Sequence, residues 1–377
     1  MALFYSNGYT TGDKTMKRCP LFCLCLILLF TPCTGYAKEK VLLDTDMVEA
    51  FDDGFAMVML ANAPGIELVG VTTVTGNSWV QEGTAWAIRQ LEIEGRTDVP
   101  VAIGLEYPLR PNRHSNFEME RKANGMGHDA WLGSFGYPKP KSWQAVYKKH
   151  YGKEPVMQPI ATHAVNFIID TVRANPGQIT IAAIGPCGNL AMALRQAPDI
   201  APLIKRIVYM GGSFFKPGNV TPAAEFNWWF DPEAARITIR APFKVQIILG
   251  LDVCEKVIFR KEHYDRLLAM LGTGAQAKIL RSTFVGKSFE QNPSFTHFVW
   301  DVLVAAIIID PSLVTQEITC HVDINDSWGL SYGQSLAYPK TGPEGSQKAR
   351  IITEIDQKRF WDLLNDKTYW ASVRNGQ

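Results

Sequence analysis

The sequence predicts an α/β fold: a single domain on a mainly parallel open sheet, with helices on both faces. Three observations carry this. From Lys38 onward, short runs rich in β-branched residues alternate with amphipathic stretches, the mark of βαβ units. Pro64-Gly65, Pro176-Gly177 and Ala241-Pro242 stop the helical stretches. An acidic cluster falls where the first run ends, the carboxyl edge at which such sheets collect ligands. Taken in order, Val41–Asp44 is a strand, continuously apolar until its last residue, as a strand buried on both faces reads. Gly54–Asn62 is a helix that must end before Pro64. Glu67–Val74 is a strand, Gln81–Glu94 a helix and Val99–Ile103 a strand. After an excursion the rhythm resumes with helix Ala161–Ala174, strand Ile179–Ile184, helix Leu190–Gln196, strand Arg206–Met210, helix Pro232–Arg240 and strand Lys244–Leu249. The excursion, residues 106–158, is rich in Gly, Pro, Lys, Asn and aromatics and reads as a long lid rather than a second core. The tail from about Ile318 to Tyr338 reads as short strands and turns before a final helix near Gln357–Leu364.

The chain opens differently. Residues 16–37 carry Met16-Lys17-Arg18, an apolar run from Leu21 to Phe30, and small residues at Gly35 and Ala37, which predicts a secretory signal peptide over residues 1–37 with Met16 as a plausible start. The run is too short for a permanent membrane span, so no stable anchor is expected after its removal. Four of the seven Cys leave with it, and Cys187, Cys254 and Cys320 allow one disulfide at most. The domain is then residues 38–377, an exported soluble protein, periplasmic or secreted. Among its 377 residues the whole chain has 38 Lys+Arg against 37 Asp+Glu, so nothing points to nucleic acid or an anionic membrane as partner.

The chemical centre is acidic. Asp44 and Asp46 end the first strand, and Asp52-Asp53 open the next helix. Four carboxylates within ten residues repel one another unless a cation lies between them, and oxygen ligands without Cys or paired His favour Ca²⁺ or Mg²⁺ over zinc. The plainer alternative has Asp52 and Asp53 capping a helix and Asp44 and Asp46 in a solvated turn. Asp44-Thr45-Asp46-Met47-Val48 also fits the short D-x-D-x-[TV] pattern of haloacid-dehalogenase-like phosphatases, where the first Asp is a nucleophile. The later Lys and paired acidic motif of those enzymes are not recognisable.

Further motifs separate these readings. Val41-Leu-Leu-Asp-Thr-Asp46 with Asp52-Asp53, Val71-Thr-Thr-Val-Thr-Gly-Asn77, Ile184-Gly-Pro-Cys-Gly-Asn-Leu-Ala191, Met210-Gly-Gly212, Gly218-Asn219, Ala224-Glu225-Phe-Asn227, Asp231-Pro-Glu-Ala-Ala235 and Trp300-Asp301 follow one another in collinear order. Together they resemble the inosine–uridine-preferring nucleoside hydrolases over residues 40–310. The resemblance implies a nucleoside hydrolase-like domain with a Rossmann-like core and one Ca²⁺ held by Asp46, Asp53, Asp301 and the main-chain carbonyl of Gly188. It implies Asp46 as general base, and Asp52, Asn77, Asn219, Glu225 and Asn227 as binders of the ribose hydroxyls of a small nucleoside substrate. By analogy with relatives of this architecture, a homo-oligomer is expected. The chemistry is coherent: an oxocarbenium-like transition state needs a firmly held sugar and a water placed beneath the anomeric carbon.

The sequence departs from the family in three places. Five residues rather than the commoner shorter spacing separate Asp46 from Asp52, Gly188 replaces a usual Thr, and Trp300 stands where many members have His. A Trp cannot donate a mobile proton, so it resembles the purine-preferring subgroup, in which the base stacks; the bland alternative is a core Trp. Asn124-Gly-Met-Gly-His128-Asp-Ala-Trp131 falls where the family has a base-side loop, so His128 and Trp131 are base-contact candidates. His297 is left unassigned, Phe226, Trp228, Trp229 and Phe230 are expected to divide between cleft and core, and the three remaining Cys are expected to be inert. The reading is an exported, Ca²⁺-dependent nucleoside N-ribohydrolase acting on purine ribonucleosides; the alternatives are a non-catalytic nucleoside-binding relative and, behind it, the phosphatase.

Overall fold

The computed structural model describes residues 37–127 and 130–375. The signal-peptide expectation over residues 1–37 therefore falls almost wholly outside the described residues, as does His128. In chain order the strands are β1 Glu39–Thr45, β2 Ile66–Thr73, β3 Val101–Ile103, β4 Ile179–Ala183, β5 Arg206–Met210, β6 Gln246–Leu249, β7 Ile258–Phe259, β8 His297–Phe298, β9 Val314–Ile324, β10 Ser335–Tyr338 and β11 Gln347–Ile355. Nine of them form one sheet in the order β10-β9-β11-β6-β5-β4-β1-β2-β3. From β3 to β11 neighbouring strands are parallel, while β9 runs antiparallel to both β11 and β10. The pair β7–β8 makes a small antiparallel ribbon.

Alternation along β1 divides the core. Val41 and Leu43 pack with helices Asp53–Asn62, Val80–Ile93 and Asp301–Ile309, and Leu42 packs on the other face with helices Ala164–Ala174, Gly188–Gln196 and Pro232–Ile239. This is a mainly parallel open sheet with helices on both faces. Because β2 and β3 lie to one side of β1 and β4, β5 and β6 to the other, the strand order reverses between β1 and β4. The loops leaving their carboxyl ends diverge there and leave a crevice.

The strands and helices named from sequence are found, within a few residues, up to β6, although the short helix Phe226–Phe230 is not among them. Three other stretches differ. The excursion carries two helices, Arg113–Asn124 and Trp143–Tyr151. Helices Lys261–Leu271, Ala275–Ser282, Phe284–Gln291 and Asp301–Ile309 follow β7; in the tail the turns and the four-residue β10 match the expectation, but β9 is a long strand of eleven residues and a further nine-residue strand, β11, precedes the final helix. Among the described residues no helix is long and apolar enough to cross a membrane.

Candidate active site

Register delivers Asp44 to the reversal point. It pairs with Thr72 on β2 and Ala183 on β4, and its side chain accepts from Thr72 Oγ1 at 2.6 Å and Asn189 Nδ2 at 2.8 Å. Asn189 also donates to Thr73 O at 3.0 Å and accepts from Leu105 N at 2.9 Å, so one amide ties the ends of β1 and β2 to the turn after β4. Asp44 is thus held through Oδ1, its Oδ2 is buried without a partner, and burial pushes its carboxyl up to about 6.

Asp46 lies just past the strand. Asn77 N donates to its Oδ2 at 2.6 Å, while its Oδ1 is buried without a partner. A Cβ on Gly76 would lie 2.2 Å from Asp46 Oδ2, so only glycine lets that turn approach so closely. Asp53 accepts from Thr45 Oγ1 at 2.6 Å and lies within hydrogen-bonding reach of Asp46. Asp301, at the start of its helix, also has a buried Oδ1 without a partner. Burial, and then the charge of Asp53 and other carboxylates, hold Asp46 and Asp301 well above the usual carboxylate range. The leading influences on both are burial and other carboxylates. The aspartates from the two ends of the chain thus meet.

Asp52, expected as a sugar ligand, also has a structural role. Its side chain does not cap its own helix; it accepts from Asp301 N and Val302 N, each at 2.8 Å, and from Trp300 N. Both oxygens therefore satisfy the start of helix Asp301–Ile309, which is what docks Asp301 beside Asp53. Burial raises Asp52 to about 7.

The remaining candidates line the other wall. Glu225 caps the short helix Phe226–Phe230, its Oε1 accepting from Asn227 N at 2.8 Å and its Oε2 from Trp228 N at 3.2 Å and Gly212 N at 2.8 Å. Asn227 Nδ2 donates to Ile184 O at 3.0 Å and Met210 O at 3.1 Å, linking β4 to β5, and its buried Oδ1 has no protein partner. Asn219 is exposed and accepts from Phe226 N at 3.0 Å. Asn77 accepts from the indole of Trp131, which is 60% exposed. Trp300 is partly buried against the core, in edge-to-face contact with His297 at 5.0 Å, and its Nε1 has no partner. His297 is half-buried, packed among Phe51, Phe295 and Trp300, and burial lowers its pKa. The aromatic run does not divide between cleft and core: Phe226, Trp228, Trp229 and Phe230 are all buried, because the turn of helix they occupy is enclosed on every side. Cys187, Cys254 and Cys320 are free and buried, and burial raises each thiol.

Gly188 begins helix Gly188–Gln196, and a Cβ there would meet Asp231, Val74 and Leu105 only at 3.7–3.8 Å. Thr would fit, so the glycine is not demanded by space. Among the described residues no three His, Cys, Asp or Glu side chains converge as a ready-made metal set. The donors nevertheless suit a hard cation: carboxylate and carbonyl oxygens, with Asp46 Oδ1 and Asp301 Oδ1 buried and unpartnered among the described residues. Two supports escaped the sequence reading, the Asn189 amide and the capping use of Asp52. Both depend on which loops meet, and only the Asn following Gly-Pro-Cys-Gly signals one of them.

Comparison with known proteins gives the family and the fold. Residues 41–362 match the family described as inosine-uridine preferring nucleoside hydrolase. The chain is 33% identical over 239 residues to the probable uridine nucleosidase 2 of Oryza sativa, covering 63% of this chain and 64% of that protein. It is 30% identical over 345 residues to the pyrimidine-specific ribonucleoside hydrolase RihB of Escherichia coli, covering 87% of this chain and 96% of that protein. Among solved structures, the purine-preferring ribonucleoside hydrolase from Gardnerella vaginalis superposes with a TM-score of 0.70 at 22% identity, over 90% of this chain and 100% of that one. The inosine-uridine preferring nucleoside hydrolase from Bacillus anthracis gives 0.64 at 21%, over 88% and 99%. With the collinear motifs and the acidic crevice, these matches place the chain in the inosine-uridine preferring nucleoside hydrolase family, whose members hydrolyse the N-glycosidic bond of nucleosides.

Proposed function

We propose that this protein is an exported, Ca²⁺-dependent N-ribohydrolase that cleaves purine ribonucleosides to free base and ribose. The observation that carries the reading is the pair of buried, unpartnered carboxylate oxygens, Asp46 Oδ1 and Asp301 Oδ1, at the carboxyl edge of the sheet. A bound Ca²⁺, held by Asp46, Asp53, Asp301 and the Gly188 carbonyl, would anchor vicinal hydroxyls and acidify a nearby water. Asp46 is the general base: ionised, it takes a proton from the water that attacks the anomeric carbon as the bond to the base breaks. Asn77 and Asn227 turn amides toward the sugar. Asn219 and Glu225 shape the same wall, with Glu225 acting chiefly by holding the Gly212 and Asn227 backbone. Asp52 also acts through helix Asp301–Ile309.

Trp300 supports a purine, since it offers a stacking surface and no mobile proton beside Asp301. A second reading, pyrimidine preference, draws on the names of the two sequence relatives. Export rests on residues 16–37 alone. The test is base release from inosine and from uridine, with and without chelator, by the mature protein. Hypoxanthine released faster than uracil, and only with divalent cation, is the expected result. Faster turnover of uridine would overturn the purine assignment, and chelator-resistant turnover the cation. Release of neither base would overturn hydrolysis itself. Fractionation that finds the protein in the cytosol with residues 16–37 attached would overturn export.

A further inference from the structure

The turn Gly76-Asn77-Ser78-Trp79, which grips Asp46, is itself gripped from outside. Ser134 N donates to Gly76 O at 2.9 Å, and Trp79 Nε1 donates to Tyr137 O at 3.1 Å. The Tyr137 hydroxyl donates to Glu82 Oε2 at 2.7 Å. Gly133, at φ 54°, permits the approach, since a Cβ there would lie 2.3 Å from Gly76 O. Residues 131–137 are thus a strap laid across the turn, and at its leading end Trp131 Nε1 donates to Asn77 Oδ1 at 2.9 Å.

An indole N–H is a donor and nothing else. An Asn amide whose oxygen and nitrogen are hard to tell apart is therefore decided by this neighbour: Oδ1 must face the indole, because the flipped amide would set N–H against N–H. Asn77 Nδ2 has no protein partner among the described residues, while its main-chain N–H is committed to Asp46 Oδ2 at 2.6 Å. We propose that Trp131 is a positioning residue that locks the Asn77 amide with its NH₂ toward the crevice, so that Asn77 donates to a ribose hydroxyl oxygen, and that Trp131 acts through Asn77 rather than by stacking on the base. This rests on the hydrolase reading above for the identity of the ligand.

The test is a double-mutant cycle of Trp131→Phe and Asn77→Ala, measuring kcat and KM on a nucleoside and its 2′- and 3′-deoxy counterparts. Trp131 is exposed, so Trp131→Phe keeps the fold and the aromatic surface and removes only the N–H. It is expected to lower kcat/KM about three- to tenfold, the net worth of one hydrogen bond. Two further results are expected: lost discrimination against the deoxynucleoside that Asn77→Ala also ceases to reject, and no added loss in the Asn77→Ala background. Losses that multiply, or a ribose-to-deoxyribose ratio unchanged in Trp131→Phe, would overturn the proposal. A separate arm needs no turnover: the indole N–H resonance that disappears in Trp131→Phe should shift and exchange faster in Asn77→Ala, and if it does neither the contact is absent. A wild-type protein that releases no base would sink the hydrolase reading, and the resonance would still decide whether Trp131 holds Asn77.

Discussion

Replacing Glu225 with Gln is expected to stabilise the metal-free protein above neutral pH while damaging its activity. Burial raises the Glu225 carboxyl from 4.5 to about 7, even though three backbone N–H groups face it. Between those two values the folded protein holds a proton that the unfolded chain has released. Its stabilising effect is complete below pH 4.5 and is lost as pH climbs through 7. A shift of about two and a half units at about 1.4 kcal/mol each makes that loss about 3 kcal/mol. Gln has the same shape and does not titrate, so its curve lacks this fall. At pH 4.5 the protonated Glu225 still offers both oxygens as acceptors, whereas Gln sets its NH₂ against at least one of the three N–H groups, so the variant should start about 1–2 kcal/mol less stable. By pH 8 the variant should have gained about 3 kcal/mol on the wild type. Urea unfolding in chelator at pH 4.5, 6, 7 and 8, each pair compared at equal pH, reads the difference directly. A constant difference would refute the reasoning. A variant that loses ground as pH rises would reverse it, showing that the three N–H groups outweigh burial.

Two further outcomes are expected. Asn189→Ala leaves Asp44 with Thr72 alone and orphans the Leu105 N–H, so it should cost about 2–4 kcal/mol in denaturant unfolding and lower activity by loosening the turn after β4; a loss under 1 kcal/mol would count against the amide as a tie. Asp301→Asn should abolish the rise in melting temperature that Ca²⁺ gives the wild type, with fold and far-ultraviolet circular dichroism intact; an undiminished rise would remove Asp301 from the ligand set.

What the sequence made legible follows from how far each signal travels along the chain. Strands β1 to β6 and their helices were readable because each burial pattern is local and punctuated by Pro or Gly. Helix Asp301–Ile309 is apolar on every side, buried between other elements, and so carries no amphipathic rhythm to betray it. Strand β9 mixes a long exposed run, Thr315–Thr319, with a buried end, because half of it lies toward the sheet margin; a turn-like reading was the natural outcome. The acidic cluster was visible as composition. That Asp52 serves a helix 250 residues away was not, since a carboxylate before a helix reads as that helix's own cap.

The acidic crevice is a poor device for stability, and that is an argument about what it is for. Asp44, Asp46, Asp52, Asp53, Asp301 and Glu225 are all buried, and each is pushed above its ordinary range chiefly by loss of water. Other buried charges are paired: Arg113 is enclosed against Glu120 at 2.5 Å, and Asp323 is held low by Arg240 and Arg236. The fold therefore supplies counter-charges to Glu120 and Asp323, whereas the leading influences on Asp46 and Asp301 are burial and other carboxylates. A ligand carrying positive charge that binds the folded state alone then stabilises it by mass action. On the proposed reading, folding and function would be coupled at this point, and the unpartnered oxygens are where a cation would make that coupling.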